Sequence, residues 1–134
     1  MRPLTDEWIH KAEGDLVTAH RELRARRSPN YDAACFHAQQ CVEKYLKALL
    51  QEADIPFGKT HNLSLLLDLL KARHPKLELL RPTLVILSAY AVEYRYPGES
   101  ADKSLARQSV KMAEEIRKVA LQELGNPSHQ VSER

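Results

Sequence analysis

Tyr94-Arg95-Tyr96 sets a guanidinium between two phenols, and Pro97-Gly98 follows at once. A guanidinium offers a planar fork that binds phosphate or carboxylate through two parallel hydrogen bonds, and an aromatic ring offers a face on which a base can stack. A second set of chemistry-bearing groups lies in the run Phe36 to Leu50, FHAQQCVEKYLKALL, where His37, Gln40, Lys44 and Lys47 interrupt an apolar pattern. Together these residues predict a pocket for a phosphate and a stacked base, with the amide and imidazole orienting the ligand. The alternative is structural: Arg95 pairs with Glu93, Glu99 or Glu43 and holds the corner of the chain.

Other chemistries find little support. There is no glycine-rich phosphate loop and no nucleophile with an evident base. His37 and Cys41 stand at i and i+4, but the pattern supplies no third ligand, so no metal and no cofactor is expected. Cys35 and Cys41 are six residues apart on one predicted helix, ~9 Å along its axis, which excludes a disulfide between them. They read as small buried hydrophobes. His10, His20 and His74 read as surface or helix-end residues.

The elements that must position these groups are helices. The chain has 134 residues, 43% hydrophobic and 28% charged, enough for one domain with a real core. Four glycines and the lack of alternating β-branched runs argue against sheet. The first helix is expected from Asp6 to Arg27, capped by Thr5, with Trp8, Ala12, Leu16, Ala19 and Leu23 inward. The second spans Tyr31 to Ala53. The third opens near His61-Asn62 and ends before His74-Pro75. A short turn at Leu77–Leu80 leads to a fourth helix from Pro82 to Tyr94, and the fifth runs from Ser100 or Ala101 to Leu124. Short loops between long helices predict an all-α fold, an up-and-down antiparallel bundle of four main helices plus a shorter one. Residues 1–125 form that bundle, and residues 126–134 are expected to be a disordered tail.

On a wheel of 100° per residue, the second helix has a wide apolar arc and an opposite polar arc of ~120° holding His37, Gln40, Glu43, Lys44, Lys47 and Gln51. That arc reads as the wet back of a half-buried helix, or as a partner or ligand face. The fourth helix is apolar all round, which predicts burial on most sides and therefore a homodimer. Leu84, Ser88, Ala91 and Arg95 share one of its stripes. No apolar run approaches the ~20 residues of a membrane span, and the N-terminus lacks a signal-peptide pattern, so a cytoplasmic location is expected. The net charge of +2 does not by itself imply nucleic acid. Locally, Arg21, Arg24, Arg26 and Arg27 are either a solvated last turn or a phosphate-binding patch.

The run QQCVEKYLKALL, the step Thr60-His61-Asn62-Leu63 and the Tyr94-Arg95-Tyr96-Pro97 stretch, with their spacing, resemble the HEPN domain family over nearly the whole chain, to about Leu124. The resemblance implies a dimerising helical bundle, often encoded beside a minimal nucleotidyltransferase of the MNT type. In such pairs the HEPN protein is typically an RNA-cutting toxin and the nucleotidyltransferase its antitoxin, and other members are nucleotide-binding modules. The ribonuclease members carry an Arg followed after four to six residues by His. Here Arg95 carries over, but Ser100, Ala101 and Asp102 occupy the positions for that His. The expectation is a dimer that binds a nucleotide, an RNA or a nucleotidyltransferase, with little ribonuclease activity. The alternatives are a metal-independent ribonuclease with a rearranged site, in which His37 or His61 approaches Arg95, and a helical adaptor without a ligand.

Overall fold

The computed structural model describes residues 1–94 and 96–125. The tail expected at 126–134 lies outside them. Five α-helices and one short 3₁₀ turn account for the ordered elements among the described residues, with no strand. They are α1 (Pro3–Arg24), α2 (Tyr31–Glu52), α3 (Leu63–Leu70), the turn Pro75–Leu80, α4 (Arg81–Glu93) and α5 (Lys103–Leu124). The all-α bundle read from the sequence is the observed fold.

The helix ends show which local signals prevailed. Thr5 does not cap α1. The helix starts earlier, at Pro3, whose fixed φ suits a first turn, while Thr5 is buried and donates its hydroxyl to Glu52 Oε1 at 3.0 Å. At the other end α1 stops at Arg24 rather than Arg27, and Ser28 in the following turn takes a left-handed φ of 48°. Asn30 caps α2 by accepting from the Ala33 N–H, Asn62 caps α3 by accepting from Leu65, and Asp102 caps α5 by accepting from Leu105. The last of these places the start of α5 at Lys103, two to three residues later than expected.

α2 is the axis of the bundle. Thirteen of its residues are buried, because α1, α3, α4 and α5 all pack on it. Tyr45, Leu46, Leu49 and Leu50 meet Leu63, Leu66, Leu67 and Leu70 of α3, Leu84 and Leu87 of α4, and Ile116 of α5 in one continuous core. A smaller cluster at one end joins Ala34 and Cys35 of α2 to Ala101 and Ala106, with Leu23, Tyr31, Tyr94 and Leu105 against it. Both cysteines are free and buried, and burial pushes the Cys41 thiol up to about 12.

α4 departs from expectation. Within one chain it buries Leu84, Leu87 and Ala91, but Val85 is 53% exposed, Ile86 41% and Val92 57%. The helix is apolar all round, yet only one face of it is covered in the single chain. No helix among the described residues is long and apolar enough to cross a membrane.

Candidate functional site

The polar arc of α2 is not a uniform wet back. Its groups go to three different places.

On the side facing α1, Asp15 gathers two of the expected site residues. Its carboxylate meets His37 Nδ1 at 2.8 Å and Lys44 Nζ at 2.5 Å, and its own side chain is 11% exposed. Both groups are thereby tied to α1.

In the middle, Glu43 and Lys47 are inside the protein, 2% and 6% exposed, and their reading as solvated residues is corrected. One turn apart, they pair at 3.1 Å. The Lys47 ammonium also lies 5.5 Å from the centroid of the Trp8 ring, where the negative face of the indole offsets part of the charge. A buried cation and anion persist only when each satisfies the other, so this pair is fixed.

The third place is a groove. The Glu43 carboxylate also meets His61 Nδ1, at 3.0 and 3.2 Å, and the His61 side chain is 78% exposed. A carboxylate only accepts, so Nδ1–H is the donor, and the tautomer this selects carries its lone pair on Nε2. Gln40 donates to Gln39 Oε1 at 2.9 Å. His61, Gln39, Gln40 and Phe36 form one wall of a cavity of about 230 Å³, and Ser88, Ala91 and Val92 of α4 form the other. The stripe on α4 that held Ser88 and Ala91 thus faces α2. The cavity offers one ring, two amides, a hydroxyl and a carboxylate-backed imidazole beside the apolar Ala91 and Val92, a composition that holds a flat polar molecule.

Of the expected site residues, Gln40 and His61 come together in this groove. His37, Lys44 and Lys47 do not line it. Tyr94 is half-exposed, packs on the small end cluster and lies 6.2 Å from the Tyr90 ring, whereas Tyr96 is 65% exposed. Arg95 lies outside the described residues. Gln39 and the Glu43 relay were not singled out from the sequence. The Glu43/Lys47 spacing of one helical turn was the available signal, but spacing alone does not say that Trp8 of α1 and His61 come to lie against the pair.

A separate polar knot joins α1, α2 and α5. Arg117 clamps Glu13 through Nε and Nη2, both at 2.8 Å, and the Tyr45 hydroxyl donates to the same carboxylate. The Arg117 guanidinium, with Tyr45, holds the Glu13 carboxyl below the usual glutamate range. Tyr45 is fully buried, and its phenol is pushed up by burial and by the Glu13 carboxylate beside it. Tyr45 is closed off from solvent, and the knot ties three helices together. Among the described residues no group of three or more His, Cys, Asp or Glu side chains is placed to hold a metal ion.

No curated protein and no solved structure is matched by the chain. The model of the HEPN domain does match it, over residues 5–124, from the first turn of α1 to the last residue of α5. That span takes in the groove, the Glu43–His61 relay and the whole core. By this match, and by the helical bundle that goes with it, the chain belongs to the HEPN domain family.

Proposed function

We propose that this HEPN protein is a dimeric nucleotide- or RNA-binding component of a toxin–antitoxin pair with an MNT-type nucleotidyltransferase, and that it has little ribonuclease activity. The observation that carries the binding part is the α2–α4 groove, in which Phe36, two glutamine amides and His61 face apolar α4 residues. A base fits between Phe36 and the Ala91–Val92 wall, with the amides reading its edge. Arg95 follows Val92 by three positions in the sequence and supplies the cation for a phosphate. The exposed Val85, Ile86 and Val92 support the dimer, and the family supports the nucleotidyltransferase as partner. A small nucleotidyltransferase encoded beside this chain is the expected gene arrangement.

Calorimetric titration with ATP, GTP and a short RNA tests the groove. Wild type should bind at least one of them. Arg95→Ala should weaken that binding by ~1.5–3 kcal/mol, the range of a charge-assisted hydrogen bond, and His61→Ala should also weaken it. The thermal midpoints should stay near that of wild type. If wild type binds none of the three, or both variants bind as well as wild type, the groove is not the site.

A second reading rests on the Glu43–His61 relay. Nε2 can take the proton of a ribose 2′-hydroxyl while that oxygen bonds to phosphorus and the bond to the 5′-oxygen breaks. The departing 5′-oxygen then takes a proton from water. Robust cleavage of single-stranded RNA in EDTA, lost in both His61→Ala and Arg95→Ala, would favour this ribonuclease over the non-cleaving module.

A further inference from the structure

The structure assigns a second nucleic-acid contact to the protein, an arginine-rich end of the bundle that binds the phosphate backbone of a single strand. Nine arginines lie among the described residues. Arg2, Arg81 and Arg117 are locked to carboxylates. The other six make no ion pair among the described residues. Five of these six, Arg21, Arg24, Arg26, Arg27 and Arg107, stand at one end of the molecule, and only Arg73 is elsewhere.

Their convergence follows from the packing. Arg21 and Arg24 close α1, and Arg26 and Arg27 lie in the turn after it. α1 and α5 run antiparallel, with Glu13 on Arg117 and His20 on Glu114, so the end of α1 meets the first turns of α5. Leu23 packs on the cluster holding Ala101 and Ala106, which fixes Arg107 beside that end of the bundle. The negative groups there are partly occupied: Asp32 accepts from the Ala101 N–H at 2.7 Å and Asp102 caps α5. From 21 to 30 the chain carries four arginines against Glu22 alone.

Cations at a helix C-terminus suit the helix dipole, which accounts for Arg21 and Arg24. It does not account for Arg26 and Arg27 beyond the helix end, nor for Arg107 on a helix whose N-terminus is the local one. Unpaired guanidiniums on three segments match a row of phosphates. The α2–α4 groove begins at Phe36 and Gln40, about 7 to 14 Å along α2 from its first residue. A strand anchored at the arginines can therefore lay a base in the groove. Only this last step rests on the nucleotide-binding reading of the groove.

The experiment measures fluorescence anisotropy of a labelled single-stranded oligouridylate between ~50 and ~200 mM salt. Wild type should bind with a steep salt dependence. The triple variant Arg24→Gln/Arg26→Gln/Arg27→Gln should bind about tenfold or more weakly at low salt, with a log–log slope shallower by about 2, since each single-strand phosphate contact contributes ~0.7. Arg107→Gln, on a different helix, should reduce the slope by less than one unit, and circular dichroism should show both variants folded. Calorimetry with ATP separates the two sites. If the arginine variants lose RNA affinity while wild type binds no mononucleotide, the basic end stands and the groove reading falls. If RNA binding is absent, or is unchanged in affinity and slope in the triple variant, the proposal is overturned. It is equally overturned if the protein ignores RNA but sediments with phosphatidylcholine–phosphatidylserine vesicles in an arginine-dependent way.

Discussion

At the scale of single residues, the protein places its charges by what covers them. Glu43 and Lys47 are enclosed, and the same carboxylate that neutralises a buried ammonium also fixes the tautomer of an exposed histidine. Glu13 shows the complementary case, a partly exposed carboxylate held below the ordinary glutamate value of 4.5 by Arg117 first and by Tyr45. A depressed folded-state pKa contributes stability that is present above the unfolded value and is lost as pH falls through the folded one. Glu13→Gln should therefore lower the urea midpoint at neutral pH, by the equivalent of about 1 kcal/mol or less for so exposed a pair. The gap should close as pH is lowered through the glutamate range. A gap of constant size down to acid pH would assign the effect to packing instead of charge.

At the scale of elements, α4 is the helix whose sequence and single-chain environment disagree. Thirteen residues contain three buried apolar side chains and leave Val85, Ile86 and Val92 to water, a surface of the sort a partner covers. Light scattering should give about twice 15.3 kDa for wild type and 15.3 kDa for Ile86→Glu, with little change in helical circular dichroism. A wild-type monomer at all concentrations would remove the dimer from the proposal. The elements themselves were legible, because proline, glycine and asparagine punctuate every junction and helical periodicity fills the spaces. Their ends were less so. Thr5 looks like a cap locally, but its hydroxyl answers Glu52, 47 residues away, and no local pattern encodes that. The site was legible in part: His61 and Gln40 do meet, and Ser88 and Ala91 face them. Lys44 and His37 were drawn to Asp15, a carboxylate on a different helix, so a wheel of α2 alone could not separate them from the groove.

At the scale of the whole molecule, one bundle presents two surfaces of different chemistry, an amide-and-imidazole groove between α2 and α4 and an arginine-rich end where α1, α2 and α5 meet. The core fixes both, since the residues behind each belong to the two packed clusters. The Glu13–Arg117 clamp carries a further consequence, for the order in which the chain assembles. α1 and α2 are neighbours in sequence and share an extensive interface, so their hairpin closes a short loop, whereas Glu13 and Arg117 are separated by 104 residues. Closing so long a loop carries an entropy cost that local pairing does not, which places the docking of α5 late on the folding route. A contact made after the rate-limiting step slows escape from the native state without hastening arrival. Stopped-flow measurements on Arg117→Met should therefore show a folding limb superimposed on that of wild type and an unfolding limb raised severalfold.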